Sequence, residues 1–144
     1  MASHCHFKGD KISYSDNGSG RAIVLLHGFM EDQHVWDDFK KPLEEKYRVI
    51  TIDLPGFGGS SCFGYAHSME LMADAIKAVC QKLRLRRLAL VGHSMGGYVA
   101  LAFAKKYKSN TAALCLLNST ALADSVEKVK SRNGRVGVFP VSQK

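Results

Sequence analysis

Short apolar runs rich in Val, Ile and Leu alternate along this chain with segments of helical periodicity, and this alternation restricts the folds it can adopt. The runs cover residues 22–26, 48–53, 88–91 and 113–117. Their apolar residues are nearly continuous, which is typical of strands covered on both faces, as in a parallel sheet. We therefore predict an α/β fold with a mostly parallel sheet flanked by helices.

Three segments carry apolar residues at helical spacing, over residues 35–45, 69–83 and 95–107. Ser68 precedes the second segment and is of the N-cap type. Pro42 falls inside the first segment and disfavours its continuation as a regular helix. Near the amino terminus, Gly9 and Asp10 separate two short alternating runs, which predicts a hairpin.

Composition narrows the classes of protein to which the chain can belong. Its 144 residues fit one domain, and 46% hydrophobic with 23% charged residues is the balance of a globular chain. The apolar runs are too short to span a membrane, so no membrane partner is expected. Residues 1–8 lack the apolar region of a secretory signal, so we expect a cytoplasmic protein.

The net charge of +7 raises the question of a nucleic-acid partner. Residues 125–144 carry five of the basic residues against one acid, and the rest of the chain shows no basic stripe interleaved with aromatic residues. We therefore expect no nucleic acid to bind. The chain has four cysteines, Cys5, Cys62, Cys80 and Cys115. No two of them form a C-x-x-C pair, so they predict neither a metal site nor a redox motif.

Glycine-rich motifs follow three of the predicted strands: His-Gly-Phe-Met over 27–30, Asp-Leu-Pro-Gly-Phe-Gly-Gly-Ser over 53–60 and Gly-His-Ser-Met-Gly-Gly over 92–97. The third is G-x-S-x-G at a strand-to-helix junction, which holds a serine on a tight turn. Gly92 and Gly96, two positions before and after that serine, lack side chains, and this allows the helix to pass close to the strand. The Met95 amide at the helix start would then face a developing oxyanion, and Phe29 is positioned to supply a second amide.

Together these motifs resemble the α/β-hydrolase superfamily, in its order and on its elements, over roughly residues 10 to 125. The resemblance implies that Ser94 is a nucleophile and that Phe29 and Met95 supply the amides of an oxyanion hole. It also implies a small-molecule substrate with an ester-like bond, and no cofactor. We expect a pocket lined by Met30, His27 and His93.

The same resemblance implies an acid and a histidine that follow the nucleophile in the chain. No histidine follows His93, and the acids after Ser94 are Asp124 and Glu127. Asp124 is expected to cap a helix. The remaining candidates for a general base, His34 and His67, lie in or near loops at strand ends. Two alternatives remain open: a serine hydrolase acting on a small apolar ester-like substrate, and an inactive half-hydrolase or pseudoenzyme that serves as a binding or oligomerising module.

The chain divides into a core of residues 1–124 and a basic tail of residues 125–144. The tail resembles the start of the family's lid helix as far as Arg132 and is then irregular, because two glycines and a proline break the helical pattern. We consider an interruption of the native frame near Arg132, and a natural short form with a β-like tail. The apolar run 113–117 would be an exposed edge, which predicts a homodimer through that edge.

Overall fold

A seven-stranded mixed sheet with helices on both faces forms the fold, in a computed structural model that describes residues 2–64, 66–119 and 136–140. The spatial order of its strands is β1-β2-β4-β3-β5-β6-β7. The strands are β1 (Ser3–Phe7), β2 (Asp10–Asn17), β3 (Ala22–Leu26), β4 (Arg48–Ile52), β5 (Leu88–His93), β6 (Thr111–Leu117) and β7 (Val136–Pro140). The helices are α1 (Asp37–Glu44), α2 (Met69–Lys82) and α3 (Met95–Lys106).

The four central strands, β4, β3, β5 and β6, run parallel, as the continuous apolar runs predicted. Their register places Leu26 of β3 beside Ile52 of β4 and Gly92 of β5. The loops that follow these three strands therefore leave the sheet side by side, at the carboxyl ends of the strands. The first two glycine-rich motifs lie in those loops, and the third spans the end of β5 and the start of α3.

The predicted hairpin at the amino terminus is confirmed. Strands β1 and β2 pair antiparallel around Lys8 and Gly9, whose φ angles are 50° and 80°. Two consecutive residues with positive φ make the type of tight turn whose twist matches that of the flanking strands.

Alternate residues of the parallel strands point to opposite faces, which gives the sheet two cores. The larger core lies under α2 and α3 and contains Leu26, Ile52, Leu90 and Phe103, all without solvent exposure. The smaller core lies under α1 and is built from Leu25, Val49 and Trp36. The α/β fold flanked by helices is confirmed.

The predicted helices are present, with one change at the start of the first. A 3₁₀ turn (Gln33–Trp36) precedes α1, and Pro42 lies within α1. Ser68 caps α2, since its hydroxyl accepts a hydrogen bond from the Leu71 amide at 3.0 Å. No helix within the described ranges is both long and apolar enough to cross a membrane.

Strand β6 is not an edge of the sheet, contrary to our expectation. β7 pairs antiparallel with it, with Leu117 beside Val136 and Ala113 beside Pro140. This pairing satisfies the backbone hydrogen-bonding groups that β6 would otherwise leave open. Part of the tail that we expected to be irregular is thus a strand, and an edge at β6 no longer argues for a homodimer. Asp124, Glu127 and the expected lid helix lie outside the described residues.

Candidate active site

The turn between β5 and α3 holds Ser94 in a rare backbone conformation. Its φ is 52° and its ψ is −113°, and its side chain makes no capping hydrogen bond to the helix that follows. A residue other than glycine at positive φ costs free energy, of order 1–3 kcal/mol, and persists only where its surroundings enforce it. The half-buried Ser94 therefore lies at the tip of a strained turn, with its hydroxyl free of the helix terminus.

Two glycines allow this turn to be tight. A Cβ on Gly92 would lie 2.5 Å from the Gly96 carbonyl carbon and from the Gly97 Cα. A Cβ on Gly96 would collide with the carbonyl oxygen of Leu26 and lie 2.6 Å from that of His27. The first turn of α3 is therefore in direct contact with the end of β3.

The end of β6 supports the same turn from the other side. The Ser94 amide donates to the Leu117 carbonyl at 2.9 Å, which extends the pairing of β5 and β6 by one residue. The Ser119 hydroxyl donates to the Ser94 carbonyl at 2.9 Å. The backbone of Ser94 is thus held at both its amide and its carbonyl.

The loop after β3 approaches Ser94 from the neighbouring strand. Phe29 and Met30 are among the most exposed large apolar residues, at 67% and 79%, and Met30 has a φ of 62°. Met95 is the first residue of α3, so its amide has no partner within the helix. Since Leu26 pairs with Gly92, the Phe29 and Met95 amides belong to loops that leave adjacent strands at the same level.

His27 lies beneath this loop rather than in a pocket. It is fully buried, its Nδ1 lies 2.8 Å from the Gly28 carbonyl oxygen, and its Nε2 accepts from the Leu54 amide at 2.9 Å. Because Nε2 accepts, the proton of the neutral ring is on Nδ1 and is donated to Gly28. Our expectation that His27 lines the pocket is wrong: it joins the ends of β3 and β4.

A buried carboxylate organises the second motif. Asp53 accepts hydrogen bonds from the Gln33 amide at 2.7 Å, from the Gln33 side-chain nitrogen at 3.0 Å and from the Gly59 amide at 2.9 Å. Gln33 in turn accepts from the Thr51 hydroxyl at 2.9 Å. Asp53 therefore connects the loop after β4 to the 3₁₀ turn that follows the Phe29 loop.

An open cleft of about 450 Å³ lies between these two loops. Met30, which we expected to line a pocket, is one of its lining residues, whereas Ser94 and Met95 are not. Phe57 forms one wall and packs edge-on against Phe29, with ring centroids 5.8 Å apart. The residues that line the cleft are Met30, Glu31, Asp32, Val35, Gly56, Phe57 and Gly58.

His93 is paired with an acid that our sequence reasoning did not identify. Its Nδ1 lies 2.9 Å from Oε1 of Glu31, and both side chains are partly buried. The edge of Trp36 packs against the imidazole, with centroids 6.4 Å apart. The sequence shows an acid in the loop after β3, but it does not show that this acid pairs with a histidine 62 residues further along the chain.

The other candidate bases do not contact Ser94. His34 lies on the surface, where its Nδ1 is 3.2 Å from Asp37 Oδ2. His67 accepts the Phe63 amide at Nε2, at 2.9 Å. Within the described ranges, no group of three or more His, Cys, Asp or Glu residues is arranged to hold a metal ion.

Comparison with known proteins places this architecture in a family. Residues 21–134 match the family model described as the alpha/beta hydrolase fold. The chain therefore belongs to the α/β-hydrolase fold family, as the three motifs predicted.

Several similar proteins carry hydrolase or esterase names. The chain is 36% identical over 113 residues to a 2-hydroxy-6-oxononadienedioate/2-hydroxy-6-oxononatrienedioate hydrolase of Paraburkholderia phymatum, an alignment that covers 74% of this chain and 39% of that protein. Among solved structures, a thermophilic esterase of Thermogutta terrifontis is 37% identical, with a TM-score of 0.79 over 88% of this chain and 48% of its own. An esterase of Exiguobacterium antarcticum is 34% identical, with a TM-score of 0.78 over 84% and 46%. The chain thus spans less than half the length of these relatives.

Gly96→Ala tests the contact between α3 and β3. A glycine-to-alanine change in an exposed helix stabilises by about 1 kcal/mol. Here the added Cβ meets two carbonyl oxygens, so we expect a loss of about 3 kcal/mol in the free energy of unfolding, measured in urea. Gly9→Ala is the control, because its Cβ enters open space and only the positive φ is penalised. A Gly96→Ala variant as stable as the wild type would contradict the contact.

The titration of His27 tests its buried role. Burial lowers the pKa of His27 below the usual 6.5, against the opposing hydrogen bond to Gly28 and the nearby Asp53 charge. A protonated Nε2 would also lose the lone pair that accepts the Leu54 amide. The unfolded chain therefore binds the proton first, and stability falls as the pH drops below about 6.5. Proton NMR of the imidazole should show a midpoint below 6.5, and a midpoint at or above it would refute this role.

Proposed function

We propose that this chain provides the nucleophile and the oxyanion site of a serine hydrolase. The observation that carries the proposal is the strained conformation of Ser94 at the start of α3, with φ at 52°. A serine at positive φ on a strand–turn–helix element is characteristic of an attacking group in this fold. The esterase and hydrolase names of the relatives support the same chemistry.

In the proposed reaction, Ser94 Oγ attacks the carbonyl carbon of an ester and gives up its proton to a general base. The amides of Phe29 and Met95 donate to the oxyanion that forms. Collapse of this intermediate breaks the bond to the leaving alkoxide, which takes the proton, and leaves an acyl group on Ser94. Water then cleaves the acyl–serine bond and regenerates the hydroxyl.

The substrate that fits best is a small ester with an apolar acyl group. Met30 and Val35 are exposed and line the cleft, Phe57 forms its wall, and the exposed Phe29 packs against Phe57. A cleft of about 450 Å³ suits a small ligand rather than a polymer. Its apolar side chains favour burial of hydrocarbon, and its two acids, Glu31 and Asp32, disfavour an anionic group.

The proposed reaction also needs a general base to accept the Ser94 proton. No hydrogen bond made by the described histidines reaches Ser94, since His27, His34, His67 and His93 are bonded to other groups. Since the residues outside the described ranges include no histidine, we propose that the base comes from a second copy of this chain. The same observation favours the alternative function, a module that binds a ligand at the cleft and hydrolyses nothing.

Intact mass after treatment with a fluorophosphonate distinguishes these two functions. If Ser94 is activated, the wild-type chain gains the mass of one adduct, and Ser94→Ala gains none. Ser19→Ala is the control because Ser19 lies in an exposed loop, and it should be labelled like the wild type. A folded wild-type chain that gains no adduct would contradict the hydrolase and leave the binding module.

A further inference from the structure

Glu31 and His93 form a side-chain bridge between the two loops that carry the proposed oxyanion amides. Glu31 Oε1 and His93 Nδ1 are 2.9 Å apart, with 26% and 31% of their side chains exposed. One residue belongs to the loop after β3 and the other ends β5. Their hydrogen bond is thus a direct side-chain link between these two segments.

Each residue of the pair lies two positions along the chain from one of the proposed oxyanion amides. Phe29 precedes Glu31 by two residues, and Met95 follows His93 by two residues. Between them lie Met30 and Ser94, whose φ angles are 62° and 52°. Each member of the pair is therefore adjacent in the chain to a residue at positive φ and two positions from a proposed oxyanion amide.

The local packing leaves the pair little freedom to move. A Cβ on Gly28 would meet Glu31 Oε1 and would lie 3.2 Å from His93 Nδ1. The Glu31 amide donates to the Gly28 carbonyl at 3.3 Å, and the Trp36 ring packs nearly perpendicular to the imidazole. The bridge thus lies directly over the backbone of the Phe29 loop.

We propose that Glu31 and His93 are positioning residues: their hydrogen bond fixes the separation of the Phe29 and Met95 amides and so sets the reactivity of Ser94. The inference rests on the proposed function. It needs no charge on His93, because a neutral ring with its proton on Nδ1 donates to the carboxylate. Neither side chain touches the reacting atoms in this account.

Labelling kinetics test the effect on Ser94. Glu31→Ala should lower the maximum rate of fluorophosphonate labelling about tenfold, the equivalent of one hydrogen bond, and leave the half-saturating concentration nearly unchanged. Glu31→Gln keeps an acceptor oxygen and should remain within about threefold of the wild type. Glu45→Ala removes an exposed acid outside the site and should label at the wild-type rate.

Nitrogen-15 NMR of His93 tests the bridge without reference to labelling. At a pH where the ring is neutral, the wild-type proton should reside on Nδ1, and Glu31→Ala should return it to Nε2. The Phe29 and Met95 amide resonances should shift in Glu31→Ala and not in Glu45→Ala. The wild-type spectrum alone decides whether the hydrogen bond forms, even if Glu31→Ala does not fold.

The outcomes separate this inference from the proposed function. A wild-type ring protonated on Nε2, or a Glu31→Ala variant that labels at the wild-type rate, overturns the inference and leaves the proposed function intact. A folded wild-type chain that is never labelled removes the proposed function. The amide shifts then still decide whether the bridge positions the two loops.

Discussion

The close contact between the first turn of α3 and the end of β3 determines the geometry of the site. Gly96 packs onto the carbonyl oxygens of Leu26 and His27, an approach that any side chain would prevent. Since α3 begins this close to the sheet, the chain must reverse within Ser94 as it leaves β5. The positive φ of Ser94 is therefore a consequence of packing, held in place by the hydrogen bonds of Leu117 and Ser119.

Hydrogen bonds to buried polar groups likewise fix the conformations of the neighbouring loops. His27 satisfies the Leu54 amide, and Asp53 satisfies the amides of Gln33 and Gly59. A buried donor left without a partner costs about 1–3 kcal/mol, so each of these bonds favours one loop conformation over its alternatives. The rigid sheet thus positions three adjacent loops, while Met30 is exposed at the cleft and Phe29 is exposed beside its Phe57 wall.

The sequence was sufficient to predict elements whose causes are local. Apolar runs marked the parallel strands, Ser68 marked the start of α2, and the glycines around Ser94 marked the tight turn. Contacts between residues distant in the chain were not predictable in this way. The partner of His93 lies 62 residues before it, the buried role of Gln33 has no local signature, and β7 pairs with β6 through a backbone pattern that side-chain periodicity does not specify.

We propose that the backbone at the ends of β3 and β5 forms an oxyanion site for a group bound to Ser94. A crystal structure of the chain after reaction with a fluorophosphonate tests this most directly. We expect a phosphorus–Oγ bond at Ser94, with the phosphoryl oxygen about 3 Å from both the Phe29 and the Met95 amide nitrogens. A phosphoryl oxygen directed into solvent, or an adduct on another residue, would contradict it.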